Sequence, residues 1–202
     1  MSTPLSNAQL LRIFRAFGVS YVTRTNWNTH NRPGDWGPDV HGVMIHHTGR
    51  YASERQMMDL LWDGYEGLPG PLCHAGIAKD GTAHMVGHGR ANHAGTGDSR
   101  VLRHVIDEEF PLPAPRFANG HQGGGTADGN RFFYGLELLN RGDGKDPWPE
   151  AQLDAAARMA AGICAKYGWT ERSVIGHKEW QAGKIDPTFS MSAFRSRVRK
   201  LL

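Results

Sequence analysis

Three short apolar runs, separated by longer stretches with helical periodicity, constrain this chain most. Val43 to His47, Phe132 to Leu139 and Ser173 to His177 each read as a buried strand. They are too short and too rich in β-branched and aromatic residues for helices. Between and around them lie amphipathic segments. Ser6 with Gln9 forms a capping box, and Leu10, Phe14 and Phe17 recur at helical spacing, which predicts a helix over about 7–17. Ser53 with Gln56 opens a second helix carrying Met57, Leu60 and Leu61, which Pro69-Gly70-Pro71 is expected to break. Pro149 opens a third, with Leu153, Ala157, Ala160, Cys164 and Tyr167 as its buried stripe. Ser190 caps a last helix with Phe194, Val198 and Leu201 inward. Strands alternating with helices in this way predict an α/β fold, a single domain on a central mixed β-sheet flanked by helices.

Other segments fill in that outline. Residues 20–41, with Trp27, Trp36, Pro33 and Pro38, read as an extended wrapping segment. The chain therefore divides into an N-terminal helix and wrap, 1–40, and a main α/β domain, 41–202. Cys73–Ala78 and Thr82–Val86 flank Asp80-Gly81, the signature of a β-hairpin. The stretch from Gly95 to Asn130 differs from the rest: a short helix near Val101–Phe110, then a Pro-rich and a Gly-rich piece. Long loops inside compact domains are commonly functional.

Composition narrows the function classes. Two cysteines, Cys73 and Cys164, rule out a disulfide framework and Cys-rich zinc patterns. A formal net charge of +3 with no long Lys/Arg run argues against nucleic acid. The glycines at 123–125 do not follow a strand in a phosphate-loop pattern. The N-terminus has no basic region followed by a long apolar run, so neither a signal peptide nor membrane insertion is expected. Eleven histidines is a high count, and their placement carries the functional argument.

The pair His46-His47 ends the first strand. Neighbouring strand residues point to opposite faces, so only one of them can enter a given pocket, and the residues alone do not choose. His177 ends another apolar strand, and Asp186 follows nine residues later. Two histidines at strand tips and a carboxylate would make a three-ligand zinc site with an open fourth position, the pattern of catalytic zinc. This spacing matches no single linear zinc motif, which leaves the site open at this level. Glu137 stands within an apolar strand: it is either an edge glutamate facing water or a desolvated general base beside a cation. Lys184 is either a solvated loop lysine or an oxyanion donor. His93 follows the hairpin toward the same region, whereas Cys73 and Cys164 read as core thiols.

Taken in order, these residues resemble the type-2 N-acetylmuramoyl-L-alanine amidases, a family that includes phage lysins, wall-recycling amidases and peptidoglycan-recognition proteins. The matching pieces are Val43-Met44-Ile45-His46-His47-Thr48, Cys73-His74 through Lys79-Asp80-Gly81-Thr82, and His93-Ala94-Gly95. Tyr134-Gly135-Leu136-Glu137-Leu138, Gly176-His177 and Lys184-Ile185-Asp186-Pro187 complete the set, over roughly residues 40–202. The resemblance implies Zn²⁺ held by His46, His177 and Asp186, with Glu137 and Lys184 catalytic. It also implies that His93, His47 and His74 face substrate. Some members carry cysteine where Asp186 stands, and phage members often carry tyrosine where Cys73 stands. The implied reaction is cleavage of the amide between N-acetylmuramic acid and L-alanine of peptidoglycan. The implied setting is host lysis by a phage of actinobacteria, by a monomer made in the host cytoplasm and released through the membrane. Two other readings stay open at this level: a recognition module that binds peptidoglycan without cutting it, and a zinc peptidase of the stem peptide.

Overall fold

A computed structural model describes residues 2–34, 36–50, 52–116 and 125–202. Six strands form one sheet: β1 (Tyr21–Thr23), β2 (Gly42–His47), β3 (Ala75–Ile77), β4 (Ala83–Met85), β5 (Phe133–Leu138) and β6 (Val174–Gly176). Their spatial order is β1-β4-β3-β5-β2-β6. Every neighbouring pair is parallel except β3 with β4. That one antiparallel pair is the hairpin expected at Asp80-Gly81. Gly81 takes φ +89°, a left-handed conformation that favours glycine, and the Asp80 carboxylate accepts from the Thr82 N–H at 2.8 Å.

The helices are α1 (Asn7–Ala16), α2 (Glu54–Asp63), α3 (Ser99–Ile106), α4 (Glu150–Tyr167), α5 (His177–Trp180) and α6 (Met191–Arg199). The capping box at Ser6 and Gln9 is present, and Ser190 caps α6 through the Ala193 N–H. The alternation of β2 sorts its side chains onto two faces. Val43 and Ile45 join the larger core with α1, α4 and α6, while Met44 joins a second core with Phe133, Ile175 and Trp180.

Four expectations need correction. Tyr21–Thr23, expected inside an irregular wrap, adds a strand to the sheet edge beside β4, so the N-terminal region is built into the same sheet. Helix α2 ends at Asp63, with Gly64 as its C-cap, well before Pro69; Gly64–Tyr65 and Leu68–Pro69 then pair as a small ribbon. Burial on α4 extends beyond one stripe, from Gln152 to Cys164, because the sheet, α1 and α6 all pack on it. Its alanines and Gly162 let α1 approach closely: a Cβ on Gly162 would lie 2.6 Å from Ile13. The four-residue α5 was not anticipated at all. In the Gly95–Asn130 stretch α3 forms as expected, whereas residues 117–124, which include His121 and most of the Gly-rich piece, lie outside the described residues.

Candidate metal centre

The parallel register of β2, β5 and β6 builds the site at the carboxyl ends of the strands, where open α/β sheets place their crevices. His46 on β2 lies directly opposite Glu137 on β5. Ile45 lies opposite Gly176 on β6, so His177 emerges beside His46 at the first position of α5. Alternation puts His46 and Glu137 on one face and His47 on the other. Asp186 arrives on the loop after α5. Lys178 tethers that loop three times: its backbone N–H donates to the Asp186 carbonyl at 2.7 Å, and its ammonium donates to the Pro187 and Phe189 carbonyls at 2.5 and 2.8 Å.

Three atoms converge. His46 Nδ1, His177 Nδ1 and Asp186 Oδ2 form a triangle with each side 3.1 Å. His46 is 1% and His177 5% exposed. The protons of both rings are committed elsewhere: His177 Nε2–H donates to Gln181 Oε1 at 3.1 Å, and His46 Nε2 meets His93 Nδ1 at 3.1 Å. Neutral rings held this way turn two lone pairs and a carboxylate oxygen toward one point. Three acceptors facing each other repel unless a cation lies between them. A tetrahedral zinc ion with bonds of about 2.05 Å needs ligand atoms about 3.3–3.4 Å apart. The observed triangle falls within a few tenths of an ångström of that, and the nitrogen–nitrogen–oxygen donor set suits zinc, so the residues fit the ion. Three protein ligands leave one tetrahedral position for water or substrate.

Burial drives the electrostatics. It lowers the His46 pKa to about 4, against the opposing pull of Asp186, which keeps the ring neutral as a ligand must be. Burial pushes the Asp186 carboxyl up, but the close contacts with the His177 and His46 rings outweigh it and hold the group well below the usual range. Glu137 moves the other way: burial and the Asp186 charge raise its pKa well above the usual range, opposed by Lys184. Glu137 Oε2 is shielded from solvent and has no hydrogen-bond partner among the described residues. The strand carrying it is central, flanked by β3 and β2, so Glu137 is not an edge-strand residue. Lys184 is exposed and lines the same cleft as His46, Glu137, His177 and Asp186. The cleft has a volume of about 210 Å³, and Leu60, Leu68 and Tyr65 form an apolar wall.

The three other histidines are placed differently. His47 borders the cleft, but its ring packs toward Trp148 at 6.1 Å, on the opposite face from His46. His74 is 2% exposed, and both its ring nitrogens are engaged by backbone: Nδ1 accepts from the Gly135 N–H at 2.8 Å, and Nε2–H donates to the Gly89 carbonyl at 2.9 Å. That leaves His74 without a ring nitrogen to offer a substrate. His93 lines the cleft, but its nitrogens are taken by His46 and the Phe133 carbonyl.

Sequence reasoning missed three supporting residues. Gln181 stands four residues after His177, a helical spacing that could have signalled it. Asn130 Oδ1 accepts from the backbone N–H groups of His93 and Ala94, at 2.9 and 2.8 Å, and nothing local in the sequence marks it. Lys178 holds the Asp186 loop through bonds spanning eight to eleven residues, which no local pattern in the sequence marks.

Comparison with known proteins agrees with this geometry. Residues 36–189 match the family profile described as N-acetylmuramoyl-L-alanine amidase. Comparison with curated proteins gives no match. Among solved structures, the chain is similar to an endolysin N-acetylmuramoyl-L-alanine amidase, LysCS, from Clostridium intestinale (18% identity, TM-score 0.53, 89% of this chain and 94% of that one). It is also similar to a mutant endolysin from Bacillus subtilis (16% identity, TM-score 0.56, 89% and 99% covered). A selenomethionine derivative of AmpD matches at 17% identity, with TM-score 0.55 and 89% and 94% covered. At these identities the structures establish the fold, a central mixed sheet flanked by helices, while the profile, spanning most of the sequence, establishes kinship. The chain therefore belongs to the N-acetylmuramoyl-L-alanine amidase family, and its activity is that of a peptidoglycan amidase.

Proposed function

We propose that the chain is a zinc-dependent endolysin that cuts the amide between N-acetylmuramic acid and L-alanine during host lysis by a phage. One observation carries the zinc reading: three acceptor atoms, each 3.1 Å from the other two, in a buried corner. His46, His177 and Asp186 would hold the ion. When bound there, zinc supplies Lewis acidity, making a water more acidic and the amide carbonyl more electrophilic.

The chain's own residues do the rest. Glu137, beside His46 in the register and with a raised pKa, takes a proton from the attacking water as its oxygen bonds to the carbonyl carbon. The same carboxyl returns that proton to the alanine nitrogen as the carbon–nitrogen bond breaks. Lys184, at the cleft edge, donates to the negative oxygen that builds up on the former carbonyl. The apolar wall of Leu60 and Leu68 limits water around the reacting amide.

The endolysin role is supported by the similarity in fold to two endolysins. No described helix is long and apolar enough to cross a membrane. In this reading the protein acts as a monomer on the wall once the host membrane is breached.

The test is digestion of purified peptidoglycan with zinc-loaded and chelator-stripped protein, read by mass spectrometry. The expected products are glycan freed of peptide and stem peptides with a new N-terminal alanine, formed only with zinc. Cleavage within the stem would make it a peptidase instead, and undiminished cleavage after chelation would remove zinc from the mechanism.

A further inference from the structure

His93 is held on the sides away from the cleft. It is 9% exposed, and its backbone N–H donates to Asn130 Oδ1 at 2.9 Å. Its ring stands at 89° to the His46 ring, with centroids 5.2 Å apart, and the His74 ring flanks it at 5.7 Å. Below it lies Gly135, where a Cβ would come within 2.6 Å of the ring atoms Cγ and Nδ1. Gly135 is itself clasped by His74, which accepts from its N–H and donates backbone N–H to its carbonyl at 2.9 Å. These contacts fix the orientation of the ring.

The consequence is a fixed order of protons. The Phe133 carbonyl, 3.1 Å from His93 Nε2, can only accept, so His93 carries its proton on Nε2. A neutral ring then offers Nδ1 as an acceptor. The partner 3.1 Å away, His46 Nε2, must be the donor. His46 Nδ1 is left bare, and that is the atom facing His177 and Asp186.

We propose that His93 is a positioning residue that locks His46 in its metal-binding tautomer, through a relay ending on the Phe133 carbonyl, and that residue 135 is glycine to seat the His93 ring. This rests on the zinc reading above. It also gives His93 a task other than contact with substrate, for which it has no free nitrogen. Outer partners of this kind orient metal ligands, and their loss typically weakens metal binding about 10–100-fold.

Two variants of the full chain separate the relay from mere packing. His93→Phe keeps a ring but has no acceptor; His93→Asn keeps an oxygen near the position of Nδ1. Zinc affinity is measured by competition with a chromophoric chelator, and the His46 tautomer by nitrogen-15 NMR of the metal-free protein. The relay predicts His46 protonated on Nε2 in the wild type and a mixture of tautomers in His93→Phe. It predicts zinc binding weakened about 10–100-fold in His93→Phe, largely restored in His93→Asn, and weakened again in Gly135→Ala. Should His93→Phe fail to fold, Gly135→Ala and the wild-type tautomer still decide. A zinc-binding wild type with unchanged affinity in His93→Phe overturns the relay alone, as does a wild-type His46 protonated on Nδ1. A wild type that binds no zinc overturns the metal reading and with it the relay's purpose.

Discussion

Acidification should destabilise the folded chain, and His74 carries a separable share of that effect. Burial, with a smaller contribution from His88, lowers its pKa to about 3, against an unfolded value of 6.5. The geometry explains why: Nδ1 already accepts from the Gly135 N–H, so protonating it breaks a buried hydrogen bond and sets two donors face to face. Above pH 6.5 neither state binds the proton and His74 adds no slope. As pH falls from 6.5 toward 3, the unfolded chain takes up a proton that the folded chain refuses, so stability is lost through that window. At pH 5 the loss from this one residue is about 2 kcal/mol, from about 1.4 kcal/mol per pH unit. His74→Asn keeps an oxygen near Nδ1 and does not titrate. It should be less stable than wild type at pH 8, because the Gly89 carbonyl loses its donor. Between pH 8 and pH 5, however, its stability should fall by about 2 kcal/mol less than that of wild type. The assay is urea unfolding of both proteins, metal-free, at the two pH values. Equal losses in the two proteins would refute the argument.

Further outcomes follow from the site. Glu137→Gln should lower amidase turnover about 10²–10⁴-fold while zinc still binds, measured by peptide release beside chelator competition. Lys184→Ala should lower turnover about 10²–10³-fold, the usual effect of losing an oxyanion donor, with folding unchanged because the side chain is exposed. Asp186→Ala should abolish tight zinc binding, read by metal content after dialysis. Gly42→Ala would set a Cβ 2.3 Å from the Ser173 carbonyl oxygen between β2 and β6, and should cost at least about 1–3 kcal/mol in thermal unfolding.

Some of this protein is local information. The capping box at Ser6, the N-cap at Ser190, the turn at Asp80-Gly81 and the apolar runs of β2, β5 and β6 depend on neighbours within a few residues, so they are legible without coordinates. Three-residue strands such as β1 carry too little pattern to stand out, and their pairing with β4 is a long-range event. The end of α2 at Gly64 was misjudged because proline is the louder signal, although the glycine supplies the left-handed conformation that closes the helix.

The residue types of the site, two strand-end histidines, an aspartate, a glutamate inside an apolar strand and a lysine, were visible in the chain itself. Which of His46 and His47 enters the cleft was not, because alternation fixes only that they oppose each other. The choice came from the face on which α1, α4 and α6 pack, since burying Val43 and Ile45 there sends His46 to the other side. Likewise, no spacing could show that His93 takes the ring proton of His46, or that Gly135 makes room for the His93 ring. The site joins residues up to 140 positions apart, as His46 and Asp186 are, and only the packed sheet brings their atoms within 3.1 Å.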